Sequence, residues 1–323
     1  MTCILEEIHR QGLGIQDWAA LPPEWQLNSD ELKAFSSKQL FSYQTRPLQS
    51  ALQLLHFFYQ GPNHAYEEGE DPEVDTLRRR NLQSLYESVN GPVDRFDIRP
   101  DEKTLPIYGV GGCDFVVEDD KIPFIHFINR MAFWMATGSG KSLVLVKMAQ
   151  ILNRLMDAKQ IPRRNILIVS PTENLREQLN DHIEEFNQFY GTHNVRLILH
   201  NLSDFATTRH QARLAQGQQV YHTRSDLLRE EVSAKAQNQL DYHHYDNNGE
   251  WYILMDEAHK GDSEDSKSKA ILTSMSRKGF LFNFSATLVD ELDIATTVYN
   301  YNIREFVRDG HAKDVLLMQW NFS

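Results

Sequence analysis

Met135-Ala136-Thr137-Gly138-Ser139-Gly140-Lys141-Ser142 is the stretch on which the fold turns. The apolar run Met131-Ala132-Phe133-Trp134-Met135 leads into it as a buried strand would. The run from Ser142-Leu143-Val144-Leu145-Val146-Lys147-Met148 onward leaves it with the pattern of an amphipathic helix. Strand, glycine loop and helix in that order bring backbone N–H groups and a helix N-terminus onto one anion. The stretch therefore reads as a phosphate-binding loop. Thr137, Gly138, Ser139 and Gly140 form its cradle, and the two glycines permit the tight turn. Lys141 is placed to reach the β- and γ-phosphates of ATP, and the Ser142 hydroxyl to bind Mg²⁺. Met135 stands where the strict pattern has its first glycine.

The bulk properties narrow the context. The chain has 323 residues, 41% of them hydrophobic, and a formal net charge of −12. That length holds one large domain or two ordinary ones. No apolar run approaches the roughly 20 residues that cross a bilayer. The N-terminus carries Glu6 and Glu7 where a signal peptide carries basic residues. The expectation is a soluble, cytoplasmic protein with no membrane partner. Cys3 and Cys113 are too few for a disulfide framework or a four-cysteine zinc site. An acidic balance opposes nucleic-acid binding as a bulk property, so any such grip must be local.

Outward from the loop, apolar runs alternate with helical stretches. Ile166-Leu167-Ile168-Val169, Val195-Arg196-Leu197-Ile198-Leu199, Trp251-Tyr252-Ile253-Leu254-Met255 and Gly279-Phe280-Leu281-Phe282-Asn283-Phe284 read as further strands. Helices are expected from the loop to about Lys159, after Ser170-Pro171-Thr172, around Ser225–Gln239 and around Ser266–Ser276. This alternation predicts an α/β fold: a mostly parallel sheet covered by helices on both faces.

Residues 1–40 look like a small helical lead-in. Residues 41–122 begin with Arg46-Pro47-Leu48-Gln49, expected just before a helix, where the Gln49 carboxamide could meet the adenine edge. They continue as an acidic, insertion-like segment. Its Arg78-Arg79-Arg80 triplet reads as pairing with the nearby acids rather than with phosphate. Residues 123–312 form the nucleotide domain, and 313–323 read as a linker or strand towards a second domain.

In such sheets the chemistry belongs at the carboxyl ends of the strands. Four polar clusters fall there: the phosphate loop, Ser170-Pro171-Thr172, Asp256-Glu257-Ala258-His259 and Ser285-Ala286-Thr287. Asp256 follows an apolar strand, where a carboxylate can hold Mg²⁺. Glu257 is placed to orient or deprotonate the water that attacks the γ-phosphate.

These clusters, in this order, resemble motifs I, II and III of superfamily 2 helicases and translocases. Arg46-Pro47-Leu48-Gln49 resembles the Q-motif, and Ser170-Pro171-Thr172 sits where motif Ia would. The wording of the loop and the stretch Tyr299–Gly310 are most similar to the helicase subunits of type I and type III restriction enzymes. The resemblance implies a RecA-like first motor domain. It implies that His259, Ser285, Ala286 and Thr287 couple nucleotide state to nucleic-acid grip. It also implies that Pro171 and Thr172 lie along the nucleic-acid backbone, with duplex DNA as the partner. A second RecA-like domain or subunit would supply motifs IV to VI, and a nuclease or methyltransferase subunit could join it. Alone, the chain is then expected to bind ATP–Mg²⁺ and hydrolyse it slowly. An RNA helicase domain and a non-catalytic assembly subunit are the competing expectations.

Overall fold

The apolar runs become the middle of one sheet. In this computed structural model the described residues are 3–11, 15–26, 29–61, 64–109, 115, 117–190, 196–208, 217–229, 240–256 and 263–311. Among the described residues, helices α1 (Ile4–Gln11), α2 (Ser29–Lys33), α3 (Ser42–Gln60) and α4 (Pro72–Asn90) run along the amino-terminal third. The short α5 (Leu105–Gly109) follows them. Then come β1 (Arg130–Met135), α6 (Lys141–Asp157), β2 (Asn165–Ser170), α7 (Glu173–Tyr190), β3 (Leu197–Asn201), α8 (Phe205–Thr208) and β4 (Gln218–Arg224). The chain continues through β5 (Trp251–Asp256), α9 (Ser263–Met275), β6 (Phe280–Ser285), α10 (Glu291–Ala295), β7 (Thr297–Tyr301) and α11 (Ile303–Arg308).

The seven strands are all parallel and lie in the order β3-β4-β2-β5-β6-β1-β7. Every residue of β5 and of β6 is buried. A parallel strand covered on both faces needs no polar alternation, which is why these runs are continuously apolar. On one face Phe133 and Phe284 stack at 4.3 Å, and Phe280 meets Phe58 of α3 edge-on. The fold is thus α/β with a parallel sheet, as the alternation predicts, and RecA-like, as the resemblance implies.

Two strands of the seven-stranded sheet lie where the sequence pattern gives no strand, and one helix is corrected. Gln218–Arg224 is a strand, and Ser225–Leu227 is a single 3₁₀ turn rather than the start of a helix. Leu228–Arg229 then pairs with Leu240–Asp241, so the helix expected around Ser225–Gln239 does not form over its described part. The buried His222 and Thr223 hide β4 from an apolar pattern. Thr297–Tyr301 is an edge strand beside β1, covered from the amino-terminal side. There the Cys3 thiol donates to the Val298 carbonyl at 2.6 Å.

The Arg46-Pro47-Leu48-Gln49 element also needs correction. It lies inside α3, not before it. Pro47 has no N–H for the Tyr43 carbonyl one turn earlier. That carbonyl instead accepts from the Tyr299 hydroxyl at 3.0 Å, so the helix continues through the proline.

The lead-in is tied to the phosphate-loop helix by a buried lysine. Lys147 of α6 donates to the Glu31 and Ala34 carbonyls at 2.8 and 2.9 Å. Burial lowers its ammonium to about 8. Two arginines of the triplet pair as expected: Arg78 binds Glu70 and Arg79 binds Asp75. No helix among the described residues is long and apolar enough to cross a membrane.

Candidate nucleotide site

Register fixes which strand ends meet. Val169 pairs with Met255, Asp256 with Phe284 and Trp134 with Ser285. Ser170, Asp256, Ser285 and Met135 therefore finish within about a residue of one level on four consecutive strands. Neighbouring strands lie about 4.8 Å apart, so this edge is roughly 14 Å wide. Asp256 stands two strands from β1, roughly 10 Å between backbones. A long lysine, a phosphate chain and a hydrated cation can bridge that gap.

The loop has the geometry its glycines permit. Gly138 and Gly140 sit at φ 79° and 78°, the left-handed region that disfavours side chains. Gly140 is also crowded: a Cβ there would lie 2.4 Å from Gln44 Nε2. The Ser139 N–H donates to the Ala136 carbonyl at 3.2 Å and closes a turn. Thr137 and Gly138 are exposed, and Ser142 is half-buried at the start of α6. Lys141 is the first residue of α6 and is 8% exposed. Its ammonium makes no hydrogen bond or ion pair with another described residue. Asp256 is 5% exposed.

Gln44 is the residue the sequence reading missed. Its Oε1 accepts from the Phe41 N–H at 2.9 Å, the returning half of a capping box. Its Nε2 donates to the Ser139 carbonyl at 2.9 Å. Gln44, not Gln49, is the glutamine hydrogen-bonded to the phosphate loop. Gln49 lies five residues on, roughly 7 Å further along the axis and on another face of the helix. It lines a cavity of about 450 Å³ beside β7, with Arg46, Tyr299 and Asn300. The signal available in sequence was the Phe41-x-x-Gln44 spacing before a helical run.

The other strand ends are braced by polar contacts. Ser285 Oγ accepts from the Thr287 N–H at 3.1 Å, a tight hydroxyl turn. The Ala286 carbonyl accepts from Trp134 Nε1 at 2.8 Å, joining this turn to the strand that enters the phosphate loop. Thr287 itself is exposed. Ser170 Oγ lies 2.8 Å from His222 Nε2, which ties β2 to β4, with Pro171 half-buried and Thr172 exposed beside it. Glu257, Ala258 and His259 lie outside the described residues.

Burial lowers the His222 imidazole from 6.5 to about 4, with nearby Arg176 acting in the same direction. A depressed histidine contributes stability that is complete above 6.5 and is lost as pH falls towards 4. The shift corresponds to about 3 kcal/mol at most. His222→Asn keeps an acceptor for Ser170 but cannot titrate. Thermal melts from pH 7.5 to 4.5 should fall more steeply for the wild type than for His222→Asn. Parallel curves would show that His222 does not carry this effect.

The family described as "Type III restriction enzyme, res subunit" matches residues 117–290, more than half of the chain. No curated protein matches the chain. Among solved structures, the UvsW helicase from bacteriophage T4 is 14% identical, with 54% of each chain covered and a TM-score of 0.32. The DUF1998 helicase MrfA bound to DNA and AMPPNP is 18% identical, covering 62% of this chain and 29% of that one, with a TM-score of 0.34. Mss116p bound to ssRNA and AMP-PNP is 16% identical, covering 74% and 47%, with a TM-score of 0.35. The chain spans about half or less of the length of these proteins. With residues 117–290 matched and the motif-bearing strand ends on one sheet edge, the chain belongs to the type III restriction enzyme res subunit family, a superfamily 2 helicase motor domain.

Proposed function

We propose that this motor domain binds ATP at the Met135–Ser142 loop and hydrolyses it to drive movement on duplex DNA. The observation that supports this most directly is that Asp256, Ser285 and the end of the strand entering the Met135–Ser142 loop lie at one sheet edge, in the motif order of the family. The backbone of Thr137–Gly140 holds the phosphates, and Lys141 contacts the β- and γ-phosphates. Ser142 and Asp256 offer hard oxygen donors, the ligand chemistry that suits Mg²⁺. When bound there, that ion would neutralise charge on the phosphates. Glu257 orients the attacking water and accepts its proton. His259, Ser285, Ala286 and Thr287 relay nucleotide state to the nucleic-acid grip, and Pro171 and Thr172 lie along the nucleic-acid backbone.

Among the described residues this site has one wall. A second RecA-like domain or subunit would supply the facing wall and its arginine finger, worth orders of magnitude in rate. ATP turnover is therefore expected to depend on that facing wall. Restriction or phage defence in the cytoplasm, beside a nuclease or methyltransferase subunit, is the setting this reading favours. Phosphate release measured with duplex DNA, with RNA and with neither tests it. Nucleotide binding with slow turnover, raised by duplex DNA over RNA, is expected. Stimulation by RNA alone would replace the DNA assignment, and fast unwinding by the isolated chain would overturn the one-wall argument.

Gln44 sets the phosphate loop through the Ser139 carbonyl, whereas Gln49 is proposed at the adenine edge. Gln44→Glu keeps the acceptor for the Phe41 N–H but turns a carboxylate against the Ser139 carbonyl. ATP affinity should fall about tenfold or more, because a buried polar contact is made repulsive. Gln49→Ala should change it far less. Fluorescent-nucleotide titration checks both, and an unchanged Kd in Gln44→Glu would remove Gln44 from the site.

A further inference from the structure

The insertion-like segment folds over the face of the sheet that carries α9 and α10. Phe96, Ile98 and Tyr108 come from this segment, and Met255, Leu281 and Asn283 from β5 and β6. Together they line a cavity of about 400 Å³, within the range of small-molecule sites. Two polar groups in its wall are incompletely matched by protein.

The first is Asn283, 3% exposed, whose Oδ1 has no hydrogen-bond partner among the described residues. Buried acceptors are rarely left so. The second is Arg130, 8% exposed at the start of β1. Its Nε donates to the Phe127 carbonyl at 3.0 Å and its Nη2 to Thr273 Oγ1 at 3.1 Å. Both acceptors are neutral, and no described carboxylate forms a salt bridge with the guanidinium. Of the acids that line the cavity, Asp101 accepts from the Thr104 hydroxyl and N–H, and Glu291 is exposed. Asp290 pairs with Lys269 at 2.8 Å. Burial, with Asp290 adding to it, raises the Asp293 carboxyl, and a hydrogen bond with the Asn283 side chain acts the other way.

Arg130 pairs with Leu281, so Asn283 stands two residues further along the same face, roughly 7 Å away along the strand. A cation and an acceptor without a donor at that separation, in a cavity whose mixed wall also holds Phe96, Tyr108 and Leu281, define a ligand. We propose that this cavity binds a small organic carboxylate that also carries an N–H or O–H donor. The carboxylate lies against Arg130, the donor meets Asn283 Oδ1, and the apolar body sits among Phe96, Tyr108 and Leu281. Met255 immediately precedes Asp256, and Asn283 stands two residues before Ser285. An occupant therefore bears on the two strand ends of the nucleotide site.

Indole-3-acetate is a suitable probe, because it joins a carboxylate, an apolar ring and one N–H. Saturable binding is expected by ligand-observed NMR and by a rise in Tm. Indole-3-acetamide lacks the charge and 1-methylindole-3-acetate lacks the donor. Each should bind about tenfold or more weakly. Asn283→Leu should weaken indole-3-acetate by a similar factor and leave the 1-methyl compound unchanged. Lys141→Ala, which loses nucleotide on the reading above, should keep the probe, so the two assignments fail separately. Absence of saturable binding to the folded wild type, or equal affinity for all three compounds, would overturn the proposal. The three-compound comparison decides it even where Asn283→Leu does not fold.

Discussion

Replacing Lys141 with alanine is expected to cut ATP hydrolysis by about 10²–10³ while leaving the fold nearly as stable as before. The expectation rests on what Lys141 lacks. It is almost fully buried at the first turn of α6, yet its ammonium makes no hydrogen bond or ion pair with another described residue. Its removal therefore leaves no protein carbonyl or carboxylate short of a donor, and Tm should shift by no more than a few degrees. The loss should appear in ATP affinity and turnover. Asp256→Asn separates the second half of the site. It should keep measurable nucleotide binding but lose the dependence on added Mg²⁺. Fluorescent-nucleotide titration, phosphate release and a melting curve on the same preparations make the comparison. An ATP affinity in Lys141→Ala within about threefold of the wild type would remove this loop from phosphate binding.

The parts of the fold that chain pattern predicts are the ones buried on both faces. β1, β2, β5 and β6 are continuous apolar runs because helices cover both sides of the central sheet, and the loop and Asp256 follow directly from their ends. β4 and β7 escaped for a different reason. His222 is buried against Ser170, and the β7 strand is roofed by the lead-in rather than by a neighbouring crossover helix. In both, long-range contacts rather than local apolar content make the strand, and such contacts have no sequence periodicity. The place of Arg46–Gln49 in the helix escaped for the same kind of reason. Arg46-Pro47-Leu48-Gln49 reads as a helix start because proline favours a first turn. The helix begins four residues before Arg46, since Tyr299 satisfies the carbonyl that Pro47 cannot. That moves the first-turn position to Gln44.

The largest stability effect is expected at Arg78, in the segment that looked most like a solvated insertion. Its charge runs suggest an exposed face, and Arg80 is exposed. Arg78 is 1% exposed. Both Nη atoms reach the Glu70 carboxylate, and its Nε donates to the His64 carbonyl at 2.9 Å. The guanidinium also lies 5.7 Å from the Tyr59 ring centre and 5.9 Å from that of Tyr66. Arg79, beside it, donates to the His126 carbonyl at 2.9 Å and to the Arg277 carbonyl, pinning α4 to the base of β1 and the end of α9. Arg78→Met keeps much of the volume but strands a largely buried carboxylate. Removing one partner of such a pair costs about 3–5 kcal/mol. For a chain of this size that is a fall in Tm of about 10 °C. Arg78→Met with Glu70→Gln should recover part of the loss, because the stranded charge is gone. Since α4 also holds the cavity-forming segment over the sheet, Arg78→Met should weaken indole-3-acetate more than it weakens ATP. A melting point within about 2 °C of the wild type would mean that Glu70 relaxes into solvent and that the pair holds nothing in place.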